Sequence, residues 1–154
     1  MPTDAELQTF IVQAKAATYA GDGGFSIPSR PASHDLRFAA GDFEYLDSYF
    51  GNADFLGQEV VYWRGQPLWG MNYYGYLLQP QRLDAASAGQ LIKRALTRLY
   101  EEDRFLGGFT FQHDGWTYTD QTNGDVARFS GTEHITSVDG TRCYRLEYHG
   151  GRIV

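Results

Sequence analysis

Cysteine occurs once in the 154 residues, at Cys143, so the chain can form no internal disulfide and no multi-cysteine zinc site. That usage fits a reducing compartment, and a lone thiol of this kind belongs in a buried apolar position. No apolar run approaches the roughly 20 residues needed to cross a bilayer. The opening, Met1 to Glu6, is acidic and lacks the basic-then-apolar order of a secretory leader. No membrane association is therefore expected, and the expected location is cytoplasmic. Positive charge is scarce as well: 13 Lys and Arg stand scattered against 19 Asp and Glu, for a net charge of −6. That balance disfavours direct nucleic-acid binding, whose affinity comes largely from cations on phosphates. Several motifs are also missing. The glycines at 21, 23 and 24 have no following Lys-Ser/Thr and no preceding buried strand, so they form neither a phosphate loop nor a dinucleotide fingerprint. Ser48 has no Gly-x-Ser-x-Gly elbow around it. The four histidines, 34, 113, 134 and 149, lack metal-ligand spacing, so neither a metal nor a cofactor is expected.

What the chain has in quantity is aromatic side chains: 11 Tyr, 10 Phe and 3 Trp. These can fill a core, line a pocket or do both, because Tyr carries an apolar body and a polar tip. The layout also reads as if written twice. Phe55-x-Gly57-x-Glu59 returns as Phe129-x-Gly131-x-Glu133, and Phe43, Tyr45 and Asp47 find counterparts in Trp116, Tyr118 and Asp120. Trp69, Met71, Tyr73 and Gly75 find theirs in Tyr144, Leu146, Tyr148 and Gly150. A spacing drifting from 73 to 75 residues is what single insertions in turns would produce. The expectation is a single domain spanning 1–154, with an internal repeat of 3–78 and 84–154 and a pocket at the seam.

Each half begins with a helix signal. Thr3 with Glu6 precedes Leu7, Phe10, Ile11, Ala14 and Thr18 at helical spacing, and this helix should stop in Ala20-Gly21-Asp22-Gly23-Gly24. Ser87 with Gln90 precedes Leu91, Ile92, Ala95, Leu96 and Leu99, placing a second helix over 87–102. Between and after them period-two patterns place strands near 35–39, 43–49, 58–64, 67–77, 108–112, 115–121, 126–137 and 141–149, with turns that include Asn123-Gly124. The fold class expected is α+β: two pseudo-repeated helix-plus-four-strand units forming one curved or barrel-like antiparallel sheet.

Candidate site residues follow from asymmetries between the halves. On strand 67–77 the face bearing Leu68, Gly70, Asn72 and Tyr74 has no charge, where its counterpart carries Arg145, Glu147 and His149. The expectation is that a helix, a partner subunit or a ligand covers that face. Asn72, Tyr74 and Tyr49 become candidate pocket walls, with Trp69 and Tyr73 mainly in the core. Arg30, His34 and Asp47 could fix polar ligand groups, His34 beside Asp35 reading either as a general base or as a loop-fixing pair. Glu59 and Glu133 could flank a substrate and divide acid and base roles, or serve structurally by tying down the glycine before each. Catalysis, if any, would draw on Glu59, Glu133, His34 or Asp47.

Ser29-Arg30 with Asp35-Leu36, Tyr45-Leu46-Asp47-Ser48-Tyr49, Pro67-x-Trp69-x-Met71-Asn72-Tyr73-x-Gly75, the two Phe-x-Gly-x-Glu motifs and His149-Gly150-Gly151 resemble an uncharacterised bacterial domain-of-unknown-function family. That family is often fused behind an Xre-type helix-turn-helix in transcriptional regulators. The resemblance supplies no catalytic residue or cofactor. It implies a sensor or effector-binding role, and this chain differs in opening directly at Thr3 without a helix-turn-helix. Three functions fit: a cytoplasmic small-molecule-binding or regulatory domain with an aromatic-lined pocket, an enzyme of hydrolase or isomerase type, and a protein-interaction module. A small-molecule ligand is the expected partner, and a homodimer is compatible with the pattern.

Overall fold

Thr3 caps the first helix in the way its spacing from Glu6 predicts. The Thr3 hydroxyl accepts from the Glu6 N–H at 3.2 Å while the Glu6 carboxylate accepts from the Thr3 N–H at 2.8 Å, satisfying two otherwise unpaired donors. In the computed structural model, which describes residues 1–21 and 24–154, helix α1 runs Asp4–Ala17 and buries Leu7, Phe10, Ile11 and Ala14 along one face. It ends where the Thr18 N–H and hydroxyl both bond to the Ala14 carbonyl, at 3.0 and 2.7 Å. Asp22 and Gly23 of the expected stop loop lie outside the described residues.

Helix α2 runs Ala85–Tyr100, two residues earlier at each end than the pattern suggests. The cap is Asp84, whose carboxylate accepts from the Ser87 N–H at 2.8 Å, so Ser87 lies inside the first turn. A carboxylate at that position satisfies a free N–H and also faces the positive end of the helix dipole.

The strands are β1 (His34–Ala40), β2 (Phe43–Gly51), β3 (Phe55–Trp63), β4 (Gln66–Leu77), β5 (Phe109–His113), β6 (Trp116–Asp125), β7 (Arg128–Thr136) and β8 (Arg142–Arg152). They form one antiparallel sheet in the order β1-β2-β3-β4-β8-β7-β6-β5. The barrel alternative fails here, because closure would pair β1 with β5 and these are instead the two edges of an open sheet. The expected turn at Asn123-Gly124 is also displaced. Those residues belong to β6, and the chain reverses at Val126-Ala127, where the Asp125 carboxylate accepts from the Ala127 and Arg128 N–H groups at 3.0 and 3.4 Å. Gly124 holds φ +89° within the strand, a conformation glycine tolerates and other residues resist.

Both helices lie on one face of the sheet. Phe10 of α1 stacks on Phe43 of β2 at 4.8 Å, while α2 packs toward β5 and β6. The central strands β4 and β8 lie between them. Trp69 is fully buried there, its indole N–H donating to the Val126 carbonyl at 3.0 Å and its ring stacked on Phe129 at 5.6 Å. Cys143 is buried as well, a free thiol.

The β4–β8 seam depends on a missing side chain. A Cβ at Gly150 would collide with the Gly70 carbonyl oxygen and lie 2.8 Å from Met71 Cα. Gly150→Ala is expected to destabilise by about 1–3 kcal/mol, because backbone in a paired strand cannot swing aside as a flexible side chain can. The urea midpoint measures it, and an unchanged midpoint would show that the strands part at no cost.

Candidate functional site

The helix-covered face of the sheet carries acids where apolar residues are the usual occupants. Asp47 of β2 stands directly opposite Glu59 of β3, and Asp120 of β6 directly opposite Glu133 of β7. Like charges facing each other across strands repel, so each pair needs compensation. For the first pair it comes from α1: Lys15 Nζ lies 2.7 Å from Oε1 and 2.6 Å from Oε2 of Glu59, with both side chains buried. Hydrogen-bond geometry is met at Oε1 alone, which leaves Oε2 without a donor.

The Gly-x-Glu motif gains its meaning here. Gly57 is no turn residue but a mid-strand position over which the Tyr73 ring lies, occupying the space a Cβ would need. Tyr73 thereby crosses from β4 and donates to Asp47 Oδ1 at 2.6 Å. Tyr148 does the same over Gly131, donating to Asp120 Oδ1 at 2.7 Å, while Thr122 donates to Oδ2 at 3.1 Å. The expectation that each Glu ties down the glycine before it is thus replaced. The glycine admits a tyrosine, and the glutamate two residues on faces the aspartate that this tyrosine holds.

These groups surround a cavity of about 270 Å³ between the helices and the central strands. Lys15 and the four carboxylates mark its depth, and Phe55, Met71, Ile92, Leu96 and Leu146 give it apolar walls. The exposed residues Gly51, at the end of β2, and Asn52 and Ala53 beyond it, with Gly89 of α2, mark its mouth. Two further polar groups lining it are buried without partners, the hydroxyls of Tyr118 and Tyr144. Buried polar groups are normally paired, so unpaired ones lining a cavity leave bonds for an occupant to make.

Charge regulation follows from the same placement. Burial, and then the facing Glu59, raise the Asp47 carboxyl to about 7 against the opposing pull of the Tyr73 hydrogen bond and Lys15. Burial, and then Asp120, raise Glu133 to about 8. Tyr118 favours the Glu133 charge without completing a hydrogen bond. Asp120 is raised by burial, with the Tyr148 and Thr122 hydrogen bonds opposing.

The candidate residues separate into three places. Asp47, Tyr49, Glu59 and Glu133 line the cavity. Asn72 and Tyr74 point to the opposite face, where both are exposed, Asn72 beside Gln58 and His149. Leu68, beside the register shift between β3 and β4, is buried in the core, and neither helix covers Asn72 or Tyr74. The C-terminal segment approaches this uncharged face, Ile153 donating its N–H to the Leu68 carbonyl at 2.9 Å and lying near Gly70. Arg30 and His34 are at the β1 edge. Arg30 donates to the Ser48 carbonyl at 2.7 Å and sits 4.5 Å from the Phe50 ring centre, pinning the loop before β1. His34 is exposed against Tyr49 and Phe25. Asp35 points to the other face, fully buried, accepting from the Ser33 and Ser48 hydroxyls and from the Ser29 N–H. Burial raises its carboxyl, but the serine hydrogen bonds outweigh that and hold it below the ordinary range. Adjacent strand residues face opposite ways, so Asp35 cannot orient His34.

Sequence reasoning did not single out Lys15, Asp120 or Tyr148 for this site. The signal was present for Lys15: a charge between Ala14 and Thr18 on the buried side of an amphipathic helix. Among the described residues no three His, Cys, Asp or Glu side chains converge to hold a metal ion, and no helix is long and apolar enough to cross a membrane.

Residues 47–153 match the family described as "Domain of unknown function (DUF5680)", and the chain belongs to it. No curated protein and no solved structure matches the chain.

Proposed function

We propose that this chain is a small-molecule-binding domain of sensor type, whose ligand occupies the cavity between the two helices and strands β4 and β8. The single observation behind this reading is the cavity's lining: buried carboxylates and unpaired tyrosine hydroxyls set among apolar side chains, the composition of a pocket that fixes a ligand's orientation. At about 270 Å³ it suits a small metabolite. The resemblance to domains fused behind Xre-type helix-turn-helix modules supports a regulatory role in a bacterial cytoplasm, with ligand occupancy as the signal. An ancestral duplication would make the two carboxylate pairs copies of one arrangement.

An enzyme reading has one observation in its favour. Carboxyls at about 7 and about 8 sit near the pH at which general acids and bases work best. Mass spectrometry of a captured ligand before and after incubation separates the two, a sensor returning it unchanged.

The test is a thermal-shift screen of metabolites on wild type and Gly89→Leu. A Cβ at Gly89 meets nothing within 4 Å, so a side chain starts there in open space and leucine would extend into the mouth. Wild type is expected to be stabilised by at least one compound, by about 2.7 kcal/mol at a hundredfold excess over Kd, and Gly89→Leu by none. Equal stabilisation of both proteins would place the ligand elsewhere.

A further inference from the structure

The two carboxylate pairs share one layout and differ most in charge compensation. Each has facing acids and a tyrosine hydroxyl on the aspartate, but only Glu59 has an ammonium. Counted from the helix caps Thr3 and Asp84, the residue in α2 that corresponds to Lys15 is Leu96. Leu96 lines the same cavity, half-buried, and brings no charge. Glu133 consequently has no ion-pair partner among the described residues, although it lies deep beneath the helices and keeps accessible surface where it lines the cavity. A carboxylate in such a place is costly to charge unless a cation reaches it.

We propose that the ligand is a small organic amine whose ammonium sits at Glu133 and Asp120, as Lys15 sits at Glu59. This rests on the reading that the cavity is a binding site. The acids are spread around the cavity and do not converge, which suits a cation carried on an organic body better than a compact metal ion. The body lies against Met71, Leu146 and the tyrosine rings, where aromatic faces also favour a neighbouring positive charge. Tyr118 and Tyr144, fully buried beside the cavity, carry hydroxyls that neither helix satisfies. An anion is disfavoured: Lys15 supplies the one ammonium among the described lining residues and is already engaged by Glu59, which leaves no cation to pair with an anion.

Titration calorimetry with phenethylamine and 1,4-diaminobutane tests the assignment, with 2-phenylethanol and 3-phenylpropanoate as neutral and anionic controls. Binding is expected for an amine and not for the controls. Glu133→Gln should weaken it by about 10- to 100-fold, the loss of one charge-assisted contact. Leu96→Lys supplies the ammonium from the protein, and it should abolish amine binding in a chain that melts no lower than wild type. If Glu133→Gln binds amines as wild type does, or the controls bind as tightly as the amines, the amine assignment is overturned. Control binding that Gly89→Leu blocks would overturn the assignment and leave the cavity's role standing. Failure of every compound, in this panel and in the metabolite screen, would remove both.

Discussion

Lys15→Met is expected to destabilise the protein by about 3–5 kcal/mol, the largest effect of any single substitution considered for this fold. The reason is asymmetry in what is left behind. Lys15 and Glu59 are both buried and in contact, so removing the cation strands Glu59 opposite Asp47 with no other Lys or Arg among the described residues that line the cavity. Methionine fills much of the lysine stem's volume, which confines the change to charge. The double variant Lys15→Met/Glu59→Gln should recover most of the loss, since the orphaned charge is gone and the remaining amide is neutral. Urea denaturation of the two proteins checks this. A double variant no more stable than Lys15→Met would mean that the lysine acts through packing and not through its charge.

The second large effect is a fall in stability as pH rises from 5 to 8. Glu133 and Asp47 hold a proton in the folded chain to about 8 and about 7, whereas their ordinary values are 4.5 and 3.8. Over that window the folded chain binds protons that the unfolded chain has released, so each rise in pH favours unfolding, by about 1.4 kcal/mol per unit for one such group. Below the ordinary values both states are protonated and the full stability is present. His134 works the other way below its ordinary value of 6.5, because burial, aided by Arg142 and Arg145, disfavours its charge in the folded state. The window from 6.5 to 8 is therefore the cleanest, and a loss of roughly 2 kcal/mol is expected across it. Glu133→Gln should flatten this slope. Melting temperature against pH measures both, and a curve level or rising from 6.5 to 8 would refute the placement of a protonated carboxyl at Glu133.

Much of the fold was legible because its signals are local. The Thr3 capping box, the helical spacing of Leu7, Phe10, Ile11 and Ala14, and the alternation of every strand depend on residues within a few positions of one another. The errors have local causes too. Asp84 took the cap from Ser87 because a carboxylate three residues before a free N–H serves better than a serine inside the turn. Asp125 moved a turn away from Asn123-Gly124 by accepting the two amides beyond it.

The site was half legible. Glu59 and Glu133 stood out because they recur at matched positions, and Asp47 for its place near Arg30 and His34, whereas Asn72 and Tyr74 lie on the face opposite the cavity. An uncharged strand face reads as covered, and what decides the matter is the side on which the helices dock. Here the carboxylate-bearing face is the covered one, an order that hydrophobic pattern alone argues against.

The sequence by itself determined the helices, the eight strands and the recurrence of Phe-x-Gly-x-Glu, since short-range sterics and capping settle each within one element. Only the tertiary structure decided that Tyr73 and Tyr148 cross those glycines, that Lys15 reaches Glu59 from 44 residues away, and that Leu96 leaves Glu133 without such a cation. Those contacts join elements distant in the chain. Their energies come from burial and charge proximity, quantities that exist only once the helices have closed over the sheet.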